Sequence, residues 1–435
     1  MRIAVFSPEI YTYGAMTIGG IIKDAGYDVS ITRDPSVVHG DYVFISLYST
    51  QHLMEEQIFS LVKRLKSEGS RVIIGGPTCA DPQMVHGELN PDLVVTGEGE
   101  PAVLKILQGD DWEKIPNCAF IRDKQLITTS KERLADISRP LPLIPDDIST
   151  QDIRGAQTYI ETHRGCFGRC GFCQVPLSFG RKIRSRPLEE IFQEVRAFKE
   201  KGVRRIALIG GTGSLYLAKD EVLNEGAFID LLKGLAEILG PKNVSCPDIR
   251  ADCITDKILD AVRTYSVGWI FFGIESGSPH VLDLMQKNIY PETVERAFDQ
   301  CREHGVRAAG SFITGYPGET LEDHEMTKDL IERICPDDVF ISSAEPIPST
   351  PLADLVVKTM ENENPAFITH KGEFEPLHLT EAEARAFDLM LHADSCRMIP
   401  RLTTDDLYHT YLNEVKKQGD DIRRATRLLQ KYHAR

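Results

Sequence analysis

Two features that would place a chain in or across a membrane are absent from this sequence. No apolar run approaches the roughly 20 residues that a membrane-spanning helix requires. The first residues lead into the strand-like segment Ile3–Phe6, without the apolar region and cleavage site of a secretion signal. We therefore expect a soluble, cytoplasmic protein.

A surplus of positive charge is also absent. Lysine and arginine total 50 residues against 65 aspartates and glutamates, which gives a net charge of -15 at pH 7. A chain with this charge is poorly suited to broad electrostatic binding of nucleic acid or of an anionic lipid surface. We expect neither nucleic acid nor a membrane as a partner.

The regular cysteine spacing of a disulfide framework is missing as well. Seven of the ten cysteines are scattered along the chain, which is typical of reduced thiols in a cytoplasmic compartment. The other three, Cys166, Cys170 and Cys173, stand together in the spacing C-x3-C-x2-C.

These three thiols can hold three corners of one iron-sulfur cube, because thiolates are the soft ligands that such clusters need. One iron then lacks a protein ligand. Glycines at 165, 168 and 171 allow the backbone to curl tightly around the cluster. Three structural thiols or a zinc site are the alternatives, although zinc usually takes four ligands and no fourth cysteine is near.

This loop, with Phe172 directly before its last cysteine, resembles the signature of the radical S-adenosylmethionine (SAM) superfamily. The resemblance implies a 4Fe-4S cluster on Cys166, Cys170 and Cys173, with SAM chelated to the open iron and Phe172 beside it. It also implies that one electron from a low-potential donor cleaves SAM to a 5'-deoxyadenosyl radical.

Ahead of this loop, short apolar strands alternate with helical patterns. Strands are indicated at 2–6, 28–31, 42–47, 72–76 and 93–97, and helices at 16–22, 54–65 and 101–107. This alternation predicts an α/β fold with a parallel, doubly wound, Rossmann-like sheet. A ligand of such a sheet binds at the carboxyl ends of its strands.

Two glycine-rich turns follow predicted strands, Gly75-Gly76-Pro77-Thr78 and Thr96-Gly97-Glu98-Gly99-Glu100. Combined with the downstream radical SAM signature, they resemble the cobalamin-binding domain of B12-dependent radical SAM enzymes. That resemblance implies that the nucleotide tail of cobalamin lies along residues of both turns, namely Gly75, Gly76, Thr78, Gly97 and Gly99. It also implies cobalamin contacts at Pro77 and Glu98 of the same turns. It implies that one further loop faces the lower side of the corrin, namely Tyr48, Ser49, Thr50, Gln51 and His52.

The motif D-x-H-x-x-G, which supplies a histidine to cobalt in many B12 proteins, is absent. We therefore expect base-off cobalamin with either a nearby side chain or no ligand on its lower face. His52 is the candidate ligand, but a histidine that opens a helix is more often a surface or capping residue.

From residue 158 onward, six strand-helix units are indicated, with strands at 159–162, 206–209, 244–249, 269–274, 308–314 and 339–344. Six units predict a partial (β/α)6 barrel, with its chemistry at the carboxyl ends of the strands. The cysteine loop follows the first strand. The superfamily resemblance assigns SAM contacts at later strand ends, namely Gly210, Gly211, Thr212, Arg250, Glu275, Ser276, Gly315 and Pro317.

Four further segments complete the prediction. Residues 118–129 form a hairpin, and Pro140, Pro142 and Pro145 mark an extended linker. The basic run 181–187 is either a solvated helix entry or a positive rim over the cluster. Helices are indicated at 381–398, 404–418 and 421–432, with a capping box from Thr380.

The domains are therefore 1–135 (cobalamin), 136–157 (linker), 158–352 (radical SAM barrel) and 353–435 (helical, facing the substrate).

A radical-generating cluster beside a methyl-carrying cobalamin suits methylation of an unactivated carbon, because the cofactors carry that chemistry. Size, domain order and helical tail are similar to archaeal enzymes that C-methylate residues of methyl-coenzyme M reductase, so a protein or peptide substrate, best a glutamine of that reductase, is expected. A small-molecule precursor is the alternative. An alternative of another class is a non-enzymatic cobalamin or redox sensor. It would explain the first domain but would leave the SAM-type sequences at the strand ends without a role. A methylthiotransferase needs a cysteine-rich N-terminal domain, and only Cys79 and Cys118 precede the loop.

Overall fold

The computed structural model describes residues 1–433 and contains two compact units, each made of several chain segments. The first unit comprises Met1–Cys166, Gln174–Gly211 and Lys233–Ser245. The second comprises Phe167–Cys173, Thr212–Leu232 and the chain from Cys246 onward. The domain boundaries predicted at residues 135, 157 and 352 describe domains that fold separately, which is a different property from these compact units. They stay a prediction.

The first unit is built on a seven-stranded sheet. Its strands are β1 (Ile3–Phe6), β2 (Val29–Thr32), β3 (Tyr42–Ser46), β4 (Arg71–Gly75), β5 (Leu93–Val95), β6 (Cys118–Arg122) and β7 (Gln125–Thr128). They lie in the order β2-β1-β3-β4-β5-β6-β7, and the first five are parallel. The predicted parallel sheet is confirmed.

Helices cover this sheet, which explains its nearly continuous apolar strands. They are α1 (Tyr13–Asp24), α2 (Glu56–Ser67), α3 (Pro82–Leu89) and α4 (Glu100–Gln108). Helix α1 packs against α4, and α2 packs against α3. Ile3 and Val5 share a core with α1 and α4, while Ala4 and Phe6, which point the other way along β1, are also buried. The sheet is therefore doubly wound.

The predicted hairpin and linker both belong to this unit. Strands β6 and β7 pair antiparallel around Asp123 and Lys124, which have φ values of 51° and 64°. The linker is extended but firmly packed on α1, because Leu143 N donates to Met16 O at 2.8 Å.

The rest of the first unit carries the start of the predicted barrel. Its elements are β8 (Thr158–Glu161), β9 (His163–Arg164), α5 (Val175–Phe179), β10 (Arg184–Ser185), α6 (Leu188–Glu200), β11 (Ile206–Ile209), the end of α7 (Glu225–Leu239) and β12 (Val244–Ser245). Strands β8, β11 and β12 form a parallel sheet in the order β12-β11-β8, and β9 pairs antiparallel with β10.

The second unit contains the remaining three barrel strands and the C-terminal helices. Its elements are α8 (Asp256–Tyr265), β13 (Trp269–Glu275), α9 (Pro279–Leu284), α10 (Pro291–Glu303), β14 (Arg307–Thr314), α11 (Leu321–Ile334), β15 (Asp338–Ser343), α12 (Pro351–Lys358), α13 (Glu381–Cys396) and α14 (Asp405–His433). Strands β13, β14 and β15 are parallel.

Three predicted elements, one strand and two helices, were wrong in extent. The third barrel strand was expected at 244–249, but β12 ends at Ser245, and Asp248 makes a single bridge to Phe271. Pro247 interrupts the ladder because proline has no N–H to donate. The two helices expected at 404–418 and 421–432 are one helix, α14, which runs through Gly419.

Gly419 continues the helix because it lies against α13. A β-carbon at this position would lie 2.0 Å from Oε1 of Glu383, whose carboxylate also binds Arg423 of α14 at 2.7 Å. The glycine thus permits close packing of the two helices rather than ending one of them. The capping box predicted at Thr380 is present, with Glu383 as its partner.

None of the helices within residues 1–433 is long and apolar enough to cross a membrane.

Candidate functional site

A cavity of about 400 Å³ lies within the first unit, at the carboxyl ends of its parallel strands. Its wall includes Phe44–Ser46 of β3, Ile73 and Gly75 of β4, Val95 of β5 and the first turns of α1. Doubly wound sheets bind their ligands at this edge. Mostly apolar walls with a few polar groups suit an organic cofactor.

One glycine of the cavity wall cannot be replaced without moving the backbone. Gly76 has a φ of 109°, and a β-carbon there would lie 2.3 Å from the carbonyl oxygen of Leu47. The chain therefore turns away from β4 with no side chain beside the cavity, which lets a bulky ligand approach the backbone.

Two threonine hydroxyls of the cavity wall have no hydrogen-bond partner. Oγ1 of Thr17 on α1 and Oγ1 of Thr96 after β5 are both buried. An unsatisfied buried hydroxyl costs free energy, so both atoms are ready to bind a polar group of a ligand. The polar atoms of the cavity therefore fit the amide- and phosphate-bearing tail of cobalamin.

The predicted cobalamin residues divide into two groups. The first group lines the cavity and consists of Tyr48, Gly75, Gly76, Pro77, Gly97, Glu98 and Gly99. The second group is not part of its wall and consists of Ser49, Thr50, Gln51, His52 and Thr78. Ser49 instead accepts a hydrogen bond from Gln51 N at 3.2 Å and so begins a short 3-10 turn.

His52 is not the surface residue that the sequence favoured, because its side chain is only 1% exposed. The ring of Tyr48 meets it edge-on at 4.6 Å, and the Tyr48 hydroxyl donates to the carboxylate of Glu9. Burial lowers the pKa of His52, and burial together with Glu9 raises the pKa of Tyr48. Both side chains are therefore neutral near pH 7.

A network of buried ion pairs borders the cavity. Glu98 binds Nη2 of Arg184 at 2.6 Å and lies 3.7 Å from Nη1 of Arg164. Arg164 also binds Glu161 at 3.0 Å and binds Glu100. Within the basic run 181–187, Arg184 is thus neither a solvated helix entry nor a rim over the cluster, because it neutralises a buried carboxylate.

Glu161 is a carboxylate of this network whose pKa is strongly perturbed. Its oxygens bind Arg164 and, at 2.6 Å, Arg139. Burial alone would raise the pKa of Glu161, but the two guanidinium groups outweigh it and lower the pKa to about 2. The carboxylate therefore stays ionised over the whole physiological range.

The cysteine loop begins in the first unit immediately after Arg164. Gly165 has a φ of 96°, and a β-carbon there would lie 2.3 Å from Lys182 O. Cys166 N donates to Gly180 O at 3.3 Å. Backbone contacts thus hold the first cysteine in place.

The remaining part of the loop belongs to the second unit and is held in the same manner. Gly171 N donates to Met285 O at 2.7 Å, and Gly171 O accepts from Leu352 N at 2.9 Å. Cys170 and Cys173, like Cys166, are half-buried thiols outside any disulfide. Three half-buried thiols on a glycine-rich loop fit the donor set of an iron-sulfur cluster.

Lys287 is a functional candidate that the sequence reasoning missed. In the second unit its Nζ binds Oε1 of Glu275 at 2.7 Å and lies 5.7 Å from the ring centre of Phe172. Burial alone would lower the pKa of Lys287, but Glu275 and then Cys170 raise it. A buried cation beside a cluster cysteine can bind a carboxylate. The sequence signal that could have identified it is a lysine just after α9, the helix that follows the fourth barrel strand, β13.

The other predicted SAM residues of the second unit lie in the segment after β12 and at the ends of β13 and β14. Arg250 makes a double hydrogen bond to Asp252 at 2.9 and 2.8 Å. Ser276 shares a hydrogen bond of 3.1 Å with Thr327. Gly315 N donates to Glu319 at 2.6 Å, and Pro317 lies two residues further in the same buried turn.

The predicted Gly-Gly-Thr contact follows β11. Gly210 packs closely against the imidazole of His163, and a β-carbon at position 210 would lie 2.3 Å from Cε1 of that ring. Gly211 has a φ of 88°, and Thr212 is buried with extended backbone. The assignment of these residues to SAM stays a prediction.

The sequence model of the radical SAM superfamily matches residues 160–331. The Methanocaldococcus jannaschii protein MJ0865, which bears the name of a candidate methylthiotransferase, is 45% identical over 438 residues, or 99% of this chain and 96% of that protein.

Two solved structures share the fold over nearly the whole chain. TsrM from Kitasatospora setae, a radical SAM methyltransferase solved with cobalamin and a 4Fe-4S cluster, matches with a TM-score of 0.69 at 13% identity, covering 100% of both chains. OxsB, a cobalamin-dependent SAM radical enzyme solved with aqua-cobalamin, matches with a TM-score of 0.64 at 15% identity, covering 97% of this chain and 56% of OxsB. The predicted fold class is confirmed.

Proposed function

This chain belongs to the radical SAM superfamily, in one family with MJ0865, and on that premise we propose that it is a cobalamin-dependent C-methyltransferase. It transfers a methyl group from methylcobalamin to an unactivated carbon. The observation that carries this proposal is the glycine-edged cavity of about 400 Å³ in the same chain as the three-cysteine loop.

The chain's own residues hold three cofactors. Cys166, Cys170 and Cys173 bind the 4Fe-4S cluster, and Lys287 binds the carboxylate of SAM. The cavity holds the tail of base-off cobalamin, with Thr17 and Thr96 donating to it. When bound, the cluster with SAM supplies a carbon-centred radical and cobalamin supplies the methyl group.

The charges around the cavity support a protein that binds the cofactors and leaves the chemistry to them. The carboxylates nearest the cavity are fully neutralised by arginines, and His52 and Tyr48 are neutral. No general base is needed, because hydrogen leaves the substrate carbon as an atom. The protein binds and orients the cofactors and excludes water.

For the substrate we propose a residue of a protein or peptide, best a glutamine of methyl-coenzyme M reductase. The archaeal source of the 45% identical relative supports this choice. Mass spectrometry of cellular proteins with and without the gene tests it: a reductase peptide should gain one methylene. Methylation of a small molecule alone would leave the reaction class intact and refute the protein substrate.

The name of MJ0865 favours a second candidate, methylthio transfer. That chemistry requires a second cluster on N-terminal cysteines. Cys79 and Cys118 are both buried, and burial raises the pKa of both thiols, to about 12 for Cys118. Protonated, buried thiols are poor cluster ligands, so methyl transfer remains the better proposal.

Anaerobic reconstitution with cluster, SAM, hydroxocobalamin and a reductant tests the reaction. With substrate, 5'-deoxyadenosine and S-adenosylhomocysteine should form in equal amounts together with a methylated product. Cys170→Ala should abolish 5'-deoxyadenosine, whereas Cys335→Ala, a half-buried cysteine outside the loop, should not. Cobalamin binding without any SAM cleavage in the wild type would refute the proposal.

A further inference from the structure

Arg164 joins segments of the first unit that are far apart in sequence. Its guanidinium binds Glu161, at the end of β8, and Glu100, at the start of α4. It also lies 3.7 Å from Glu98, in the turn after β5. The side chain is only 7% exposed, so these contacts fix its position.

The same side chain forms part of the cavity wall. Arg164 lines the cavity together with Glu98, Glu100, Glu161 and Phe179, whose ring centre lies 5.2 Å from the guanidinium carbon. Nη1 of Arg164 is buried and has no hydrogen-bond acceptor. A buried N–H without an acceptor is costly, so an oxygen of a ligand in the cavity is the group that would satisfy it.

The backbone of Arg164 is held in place immediately before the first cluster cysteine. Its backbone pairs with Arg184 across β9 and β10, and Gly165 is packed so closely that a β-carbon there would lie 2.3 Å from Lys182 O and 3.3 Å from Gly180 O. Cys166 follows directly. A change in the position of Arg164 therefore reaches Cys166 through a single closely packed residue, Gly165.

We propose that Arg164 is a positioning residue that couples cobalamin in the cavity to the cluster on the cysteine loop. An amide carbonyl of cobalamin accepts from its Nη1, and the ion pairs to Glu100 and Glu161 hold the guanidinium against the base of the loop. This inference rests on the proposed function. We expect the coupling to be favourable, and because coupling is reciprocal, each cofactor then strengthens the binding of the other by the same factor.

The test is the dissociation constant of hydroxocobalamin, measured for the full chain with and without its reconstituted cluster. The wild type should bind about fivefold or more tightly when the cluster is present. The ratio of the dissociation constants without and with the cluster is the measured quantity. In Arg164→Lys, which keeps the charge but cannot contact three carboxylates at once, this ratio should fall to about one while cobalamin still binds. The midpoint potential of the cluster, followed by electron paramagnetic resonance, should shift on adding hydroxocobalamin in the wild type and not in the variant.

Two further variants keep the result decisive. Glu100→Gln, which preserves shape and removes one partner of Arg164, should also reduce the ratio and covers the case in which Arg164→Lys fails to fold. Arg196→Gln removes an arginine from an exposed ion pair with Glu189 and should behave as the wild type.

The possible failures are distinguishable. A wild-type ratio near one, or a wild-type ratio retained in both Arg164→Lys and Glu100→Gln, would overturn the coupling and leave the methyltransferase proposal standing. A wild type that binds no cobalamin at all would refute the proposed function and this inference with it.

Discussion

Lys287 and Glu275 form a buried pair whose removal tests the SAM site at the scale of single residues. Removing the lysine alone would leave Glu275 as an uncompensated buried charge, so the informative change is the double variant Lys287→Met with Glu275→Gln. A charge-assisted hydrogen bond contributes roughly 1.5–3 kcal/mol. We therefore expect the cluster-loaded double variant to bind SAM about tenfold or more weakly by equilibrium dialysis.

Two controls accompany this measurement. Cobalamin binding by the double variant should equal that of the wild type, because neither residue lines the cavity. Lys287→Arg should retain most of the SAM affinity. Wild-type affinity for SAM in the double variant would show that Lys287 does not bind the SAM carboxylate.

Glu161 makes stability depend on pH in a predictable direction. Its folded pKa of about 2 lies below the unfolded value near 4.5. The ionised carboxylate therefore stabilises the fold above pH 4.5, and this contribution, on the order of 3 kcal/mol, is lost as the pH falls from 4.5 towards 2. In urea unfolding of the cluster-free chain, Glu161→Gln should be less stable at pH 7, and its deficit should shrink by pH 3. An equal deficit at both pH values would contradict the assignment.

At the scale of elements, helix α14 depends on Gly419. In an isolated helix, Gly419→Ala would be stabilising by about 1 kcal/mol. Here the new β-carbon would lie 2.0 Å from Oε1 of Glu383, which the capping box and Arg423 hold in place. Overpacking of this kind costs about 1–3 kcal/mol. We expect a lower melting temperature for Gly419→Ala.

The matched control is Lys416→Ala, an exposed position three residues earlier on the same helix. It should leave the melting temperature nearly unchanged. If Gly419→Ala melts at a higher temperature than the wild type, then helix propensity outweighs the contact with α13.

For the whole molecule, cofactor content distinguishes methyl transfer from methylthio transfer. One cluster on Cys166, Cys170 and Cys173 corresponds to about four iron atoms per chain. We expect reconstituted protein to contain about four iron atoms and one cobalamin, and Cys79→Ala with Cys118→Ala to leave the iron content unchanged. About eight iron atoms that fall to four in the double variant would favour a methylthiotransferase.

Local patterns were sufficient for several parts of the fold. The strands around β1, β3 and β4, the hairpin at 118–129 and the capping box at Thr380 were predictable because neighbouring residues decide them. Pro247 and Gly419 were misjudged for opposite reasons. Pro247 shortened a strand that periodicity alone would extend, and Gly419 continued a helix because a neighbouring helix occupied the space of its missing side chain.

The sequence by itself determined the three-cysteine loop, the doubly wound sheet and the glycine turns at its strand ends, because spacing and apolar periodicity are local properties. Only the tertiary structure decided which charges are buried together and which residues line the cavity. Glu98 and Glu100 follow β5, whereas Glu161 and Arg164 lie in β8 and β9, so no local pattern relates the two pairs. Lys287 and Glu275 meet for the same reason, since a lysine just after a helix is ordinary until the fold places it beside Cys170.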